Sequence, residues 1–223
     1  MDNGKTDNNK KRLNEMIKKF SYLKNIDKNF KIFGASFHKY EFGKLLGENT
    51  VNDFEKKYNV KIPFEYKLFM LEIGNGGAGP FYGIVPFEKC LFSDIDHPND
   101  KYLLNPSIPF PYNDEWTMKF DGNYEEGNEE AIEEFEKEYF DDKHIAGMIR
   151  ICNFGCGHFI NLVVNGYEFS NVWSDDRGSD YGIYPFNYYT FNNQKRLTFF
   201  DWYECWLDKS INEIEVGKSK NGT

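Results

Sequence analysis

Thiol and imidazole side chains come close together at one point of the sequence, where Cys152, Cys156 and His158 fall within seven residues. Thiolate sulfur and imidazole nitrogen are ligands that zinc prefers, but a structural zinc site takes four ligands, usually from two ligand pairs. No second pair lies near Cys90 or Cys205. If the segment is a strand, Cys156 and His158 share one face, as in ordinary half-buried packing. We therefore expect no metal and no other cofactor.

Nucleophilic catalysis and phosphate binding have no specific signature in this chain. There is no GxSxG elbow, and a Cys, His and Asn set can be assembled from any chain of this composition. The glycines of residues 74–80, GNGGAGP, follow a predicted helix instead of opening one, so a turn is favoured over a phosphate site. Asp94, Asp96 and Asp100 lack the glycine and the glutamate of a calcium loop. The sequence predicts that the protein is not an enzyme.

Apolar residues at helical spacing predict the helices around these positions. Thr50 and Thr198 each precede an aspartate by three residues, which is the spacing of a helix N-cap. Pro63 suits the first turn of the third helix, and Gly74 suits a left-handed residue at its end. The apolar stripes of the predicted helices are Leu13, Met16, Ile17, Phe20 and Leu23; Val51, Phe54 and Tyr58; Tyr66, Phe69, Met70 and Ile73; Ile132, Phe135 and Tyr139; and Phe199, Trp202, Tyr203, Trp206 and Leu207.

Segments rich in β-branched and aromatic residues predict strands near residues 82–87, 145–151, 158–164 and 168–173. Asn165-Gly166 suits a tight hairpin turn between the last two strands. Prolines and polar residues between positions 90 and 124 predict an irregular excursion that lies over the domain. The length of 223 residues suits one domain, and no internal repeat or linker divides the chain.

The net charge of −9 is concentrated in one part of the chain. Residues 121–142 carry a net charge of −10, and the other 201 residues together carry +1. Charge runs are usually solvated faces, but this density exceeds what solubility requires. The exposed face of the helix in this window is therefore a candidate partner-binding surface, formed by Glu129, Glu130, Glu133 and Glu134. The acids of the window are Asp121, Glu125, Glu126, Glu129, Glu130, Glu133, Glu134, Glu136, Glu138, Asp141 and Asp142.

Asp175 and Asp176 are a second pair of candidate partner-binding residues. They follow Trp173, and an exposed aromatic residue with polar neighbours is a common recognition pattern. The alternative is a tryptophan that ends a strand inside the core, with a turn after it. This alternative is favoured because large aromatic side chains are mostly buried.

The charge and hydropathy patterns exclude several classes of partner. Direct nucleic-acid binding needs a basic footprint, and the chain has only a mildly basic run near Arg12, which suits a weak contact at most. No apolar run approaches the ~18 residues of a membrane span. The first twenty residues lack the apolar stretch of a secretory signal, and the four cysteines have no framework spacing. We expect a cytoplasmic protein with reduced thiols that binds neither nucleic acid nor membranes.

Two blocks of sequence share a recognisable order of apolar and glycine positions. In residues 51–87 the most specific positions are Glu55, Ile62-Pro63, Tyr66 and Asn75-Gly76-Gly77. In residues 155–208 they are Gly155-Cys156-Gly157, Leu162-Val163-Val164-Asn165-Gly166, Val172-Trp173 and Phe200-x-Trp202-Tyr203-x-x-Trp206-Leu207. Together these blocks resemble the SUKH superfamily, which groups a fungal cell-wall-assembly regulator with many bacterial immunity proteins.

The resemblance implies an α+β fold: a single domain with a twisted, mainly antiparallel sheet and helices packed against it. We expect this domain over residues 10–216, with an acidic insertion near 90–144 where the resemblance is weakest. Residues 1–9 are expected to be disordered or frayed, and residues 217–223 to form a polar tail.

The resemblance also implies a binding role without catalytic residues. Bacterial members of the superfamily are understood as immunity proteins that neutralise polymorphic toxins, often nucleases. A protein toxin, with a nuclease as one possibility, is therefore the expected partner. The alternative is a regulatory scaffold or interaction protein with no toxin partner, as in the fungal branch.

Overall fold

The computed structural model describes residues 3–122, 129–187 and 196–221. This part of the chain forms helices and one four-stranded antiparallel sheet, which confirms the predicted α+β class. The described residues do not include positions 1–2 and 222–223 of the predicted terminal segments. They also do not include Glu125 and Glu126 of the acidic window, residues 121–142. The α-helices are α1 (Asn3–Ile26), α2 (Ala35–His38), α3 (Glu48–Tyr58), α4 (Phe64–Glu72), α5 (Glu129–Tyr139) and α6 (Phe199–Asn221).

The sheet consists of β1 (Met148–Gly155), β2 (His158–Val163), β3 (Val172–Asp176) and β4 (Gly182–Pro185), paired in chain order. β1 and β2 are joined by a tight turn in which Cys156 has a left-handed backbone. The prediction that a strand begins at residue 168 is wrong, because β3 begins at Val172. Positive φ angles at Gly166 (116°) and Ser170 (75°) fold the preceding segment into turns instead of an extended strand.

The strand predicted near residues 82–87 is also absent. Ile84 makes only isolated bridges, to Gly77 and to Cys152 of β1, and Phe87–Lys89 forms a 3₁₀ turn. Left-handed backbone at Phe81 and Gly83 and the proline at position 86 interrupt any longer ladder. The segment still covers the outer edge of β1, since the Val85 N–H donates to the Ile151 carbonyl at 2.9 Å.

The helix ends follow local sequence in some places and tertiary contacts in others. The Thr198 and Asp201 N-cap is confirmed: each backbone N–H donates to the other residue's side-chain oxygen, at 3.3 and 3.4 Å. Thr50 does not cap α3, because that helix already begins at Glu48. Gly74 does not have a positive φ; it is needed because a Cβ there would lie 2.7 Å from the Gly43 carbonyl oxygen.

The terminal helices α1 and α6 lie side by side and cover one hydrophobic core with α4 and the sheet. Arg12 of α1 forms salt bridges with Asp201 at 3.0 Å and Glu204 at 2.8 Å, and Lys19 pairs with Asp208 at 2.6 Å. α1 begins at Asn3 and α6 continues to Asn221, so both helices extend into the segments for which a frayed end and a polar tail were predicted. Among the described helices, none is both long and apolar enough to cross a bilayer.

The position of Gly34 gives a first prediction. Gly34 has a φ of 80°, and a Cβ there would lie 1.6 Å from the Phe81 carbonyl oxygen. Gly34→Ala should therefore lower the free energy of unfolding by at least about 2 kcal/mol, measured by urea denaturation.

Gly217→Ala is the matched control, because nothing lies within 4 Å of a Cβ at this exposed position in α6. Alanine is the better helix former, so this change should stabilise the protein by up to about 1 kcal/mol. Equal effects of the two substitutions would contradict the close packing at Gly34.

Candidate acidic interface

Helix α5 presents its acids to solvent, as its periodicity predicted. Its first two turns carry four exposed glutamates, which we call the acidic face: Glu129, Glu130, Glu133 and Glu134. Ile132 and Phe135 are half-buried on the opposite side, and Tyr139 is buried. Within the described part of the chain, Glu129, Glu133 and Glu134 have no ion-pair partner. Three of the four carboxylates of the acidic face are therefore not compensated by a cation of the described chain.

Aromatic contacts hold the apolar side of α5 against the domain. The Tyr139 ring lies 5.7 Å from Trp116, and the Phe135 ring lies 5.5 Å from Phe120. The backbone of Trp116 exchanges two hydrogen bonds with Ile183 of β4, at 2.7 and 2.8 Å. The irregular segment predicted between residues 90 and 124 is thus the layer through which α5 rests on the sheet edge.

A buried ionic cluster of Arg150, Asp175 and Arg177 lies beneath this layer. The Asp175 carboxylate accepts hydrogen bonds from Arg150 Nη1 at 2.9 Å and from Arg177 Nε and Nη2 at 2.7 and 3.0 Å. Burial alone would raise the pKa of Asp175, but the two guanidinium groups outweigh burial and lower the pKa to about 2. Asp175 is therefore ionised across the physiological pH range.

The buried ionic cluster also holds the C-terminal end of α5. Arg177 Nη1 donates to the Tyr139 carbonyl at 3.0 Å and to the Asp141 carbonyl at 3.1 Å. The Tyr139 carbonyl is the last of α5 and lies at the negative end of the helix dipole, where a cation is stabilising. Arg150 Nη2 donates to the Ser93 carbonyl at 2.7 Å, and the Ser93 hydroxyl donates to Asp142 at 2.7 Å. One end of α5 is thus fixed to the sheet while the acidic face remains exposed.

His144 provides a second attachment for the same helix end. Its Nε2 lies 3.0 Å from the Glu138 carbonyl oxygen, which can only accept, so Nε2 donates and Nδ1 accepts from the Tyr112 hydroxyl. The ring stacks on Trp116 at 3.9 Å. Burial lowers the pKa of His144, which favours the neutral imidazole that this arrangement requires.

The prediction that Asp175 and Asp176 bind a partner is wrong, because both side chains are buried. Asp175 accepts hydrogen bonds from Arg150 and Arg177, and Asp176 accepts a hydrogen bond from the Tyr184 hydroxyl at 3.0 Å. Trp173 is fully buried as well, and its indole N–H donates to Glu168 at 3.3 Å. The favoured alternative, a tryptophan inside the core, is confirmed.

The cysteine and histidine cluster is divided by the fold. Cys156 is exposed in the turn between β1 and β2, whereas Cys152 and His158 are buried in the strands. Cys152 Sγ donates to the Pro80 carbonyl at 3.1 Å. Among the described residues, no three His, Cys, Asp or Glu side chains are placed to hold a metal ion.

The sequence analysis did not identify Arg150, Arg177 and His144 as site residues. One signal for Arg150 was present in the sequence, because a charged residue inside the apolar run of β1 needs a buried acid as its partner.

Compared with known proteins, the chain matches no family model, no curated protein and no solved structure. The resemblance to the SUKH superfamily therefore rests on the sequence blocks given above and stays a prediction.

Removing the central carboxylate should have a large effect on stability. Asp175→Ala leaves two guanidinium groups buried without their shared acceptor, so the free energy of unfolding should fall by about 3–5 kcal/mol in urea denaturation. Asp180→Asn is the control, since Asp180 is exposed in the next turn and asparagine tolerates its φ of 63°. This control should change stability by less than about 0.5 kcal/mol. A small effect of Asp175→Ala would contradict the role of the buried ionic cluster.

The lowered pKa of His144 predicts a pH dependence. The folded protein binds fewer protons at this site than the unfolded chain, so stability should be complete above about pH 6.5 and should fall as the pH decreases below it. His144→Gln should lose less stability than the wild type between about pH 7.5 and 5.5 in urea denaturation. Burial also lowers the pKa values of His38 and His158, which contribute equally to both proteins. Identical pH profiles would contradict this interpretation.

Proposed function

We propose that this protein is a cytoplasmic immunity-type binding protein, which neutralises a partner toxin by direct protein contact. The observation that carries the proposal is the acidic face, a set of exposed glutamates on a helix whose other end is fixed to a buried ionic cluster. The proposed toxin is a nuclease, and the proposed immunity protein has no catalytic residue of its own.

The charge of the acidic face suits a nuclease active site. A cleft that holds phosphates must be basic, and carboxylates spaced along a helix can occupy such a cleft in place of the phosphates. Outside the acidic window the chain is nearly neutral, at +1, so its field is concentrated at one surface. A concentrated field of opposite sign accelerates association and makes it dependent on salt.

The attachment of α5 suits tight binding. Arg177, His144 and the aromatic layer hold the C-terminal end of the helix before any partner arrives. A preformed surface loses less conformational entropy on binding than a segment that must fold first, so more of the electrostatic attraction appears as affinity. The SUKH resemblance supports the same function, because its bacterial members are immunity proteins.

Charge reversal tests the proposal. The variant Glu129→Lys, Glu130→Lys, Glu133→Lys and Glu134→Lys should bind the toxin encoded by the neighbouring gene roughly 100-fold more weakly, mainly through a slower on-rate. The control reverses four exposed glutamates on other elements: Glu41, Glu48, Glu115 and Glu213. Because the control has the same net charge, it should keep its affinity within about threefold.

Surface plasmon resonance at several salt concentrations gives the affinity and the on-rate. The wild type should lose on-rate as salt increases, and the acidic-face variant should not. Unchanged affinity and on-rate in that variant would overturn the proposed binding surface. Co-expression with the toxin tests the function itself: if the protein neither rescues growth nor forms a complex, the regulatory scaffold becomes the better proposal.

A further inference from the structure

A second surface, far less charged than the acidic face, consists of exposed aromatic rings. Phe33, Phe37, Tyr82 and Phe154 come from three different segments of the chain, and their exposed fractions range from 37% to 72%. Tyr82 lies 5.4 Å from Phe33 and 5.8 Å from Phe37, and Phe154 lies 6.2 Å from Phe33, so the rings are contiguous. We call these four residues the aromatic patch. Contiguous exposed rings on a folded protein are typical of an interaction surface.

Packing beneath the aromatic patch holds its rings in place. Phe81 lies beneath it, 4.3 Å from Phe154 and 6.3 Å from Phe33. The left-handed backbone of Gly34 brings the segment before α2 against the Phe81 carbonyl, since a Cβ there would lie 1.6 Å from that oxygen. The rings are therefore presented by closely packed backbone.

A cleft of about 480 Å³ adjoins the aromatic patch, and Phe37 and Tyr82 form part of its wall. Its lining includes one exposed base, Lys89, and one exposed acid, Asp96. Asp96 accepts a hydrogen bond from the Asn153 side chain at 2.6 Å. Among the described residues, Lys89 has no salt-bridge partner. The cleft thus carries one charge of each sign.

We propose that the aromatic patch and its cleft bind a second copy of this chain in a twofold symmetric dimer. A twofold interface pairs a surface with itself, so the surface must complement itself. Aromatic rings pair favourably edge to face, and one acid and one base in the same cleft allow Lys89 of one copy to pair with Asp96 of the other. A strongly basic or acidic partner would gain nothing from this balanced charge.

The small area of the patch indicates a weak dimer. The exposed parts of the four rings amount to about 400 Å² per copy, roughly half of what a standard interface buries on each partner. The walls of the cleft add to this area. We therefore expect a reversible dimer with a dissociation constant in the micromolar range. This inference does not depend on the proposed toxin, since the dimer forms without one.

Sedimentation of the full chain between about 1 and 200 μM tests the dimer. The wild type should change from monomer to dimer across this range, and Phe37→Ser with Tyr82→Ser should raise the dissociation constant at least about tenfold. Tyr167→Ser is the control, because Tyr167 is highly exposed, at 87%, and lies outside the patch and its cleft. It should dimerise like the wild type. A wild type that stays monomeric at the highest concentration would overturn the proposal.

A charge exchange tests the pairing itself. Lys89→Asp and Asp96→Lys should each weaken the dimer about tenfold, because each puts like charges opposite one another. The double variant Lys89→Asp with Asp96→Lys should dimerise within about threefold of the wild type, since the pair is restored with its signs exchanged. A double variant weaker than either single variant would overturn the proposed arrangement. Circular dichroism of every variant identifies any loss of fold.

Discussion

The carboxylate of Asp175 lies between two buried guanidinium groups, and much of the surrounding structure serves to make that arrangement stable. Two cations and one anion away from water are stable only when the guanidinium N–H groups also find other acceptors. Asn161, Ser93, Tyr139 and Asp141 supply acceptors for Arg150 Nη1 and Nη2 and for Arg177 Nη1, whereas Arg150 Nε has no hydrogen-bond partner in the described part of the chain. These hydrogen bonds connect the buried ionic cluster to three strands of the sheet, to the irregular segment between residues 90 and 124 and to the end of α5.

This constraint explains how a helix with so much negative charge is kept in one place. Glutamates four residues apart, such as Glu129 with Glu133 and Glu130 with Glu134, repel each other by a few tenths of a kcal/mol per pair. This repulsion opposes folding, whereas the interaction of the glutamates with the positive end of the helix dipole favours it. Arg177, His144 and the ring of Tyr139 offset the repulsion at the other end of the helix. Contacts at one end of α5 thus compensate for charge repulsion at the other end.

The acidic face and the aromatic patch differ in the physical interaction that each can offer. The acidic face attracts over a long range and is screened by salt, which suits fast capture of a basic partner. The aromatic patch acts only on contact, and its cleft carries one charge of each sign, which suits pairing with an identical surface. The two surfaces therefore do not compete for the same kind of partner.

The sequence by itself determined what depends on neighbours within a few residues. Helical spacing placed the acidic face of α5, and the spacing of Thr198 and Asp201 placed the start of α6, because both arise from contacts inside one turn. Tertiary structure decided the strand limits, since pairing depends on distant residues and on left-handed positions such as Ser170. It also decided that Asp175 is buried. The buried Asp175 carboxylate is stabilised by Arg150, which is 25 residues away in sequence, and by Arg177. Arg177 in turn donates to carbonyl groups more than 30 residues away in sequence. No local pattern around Asp175 contains those groups.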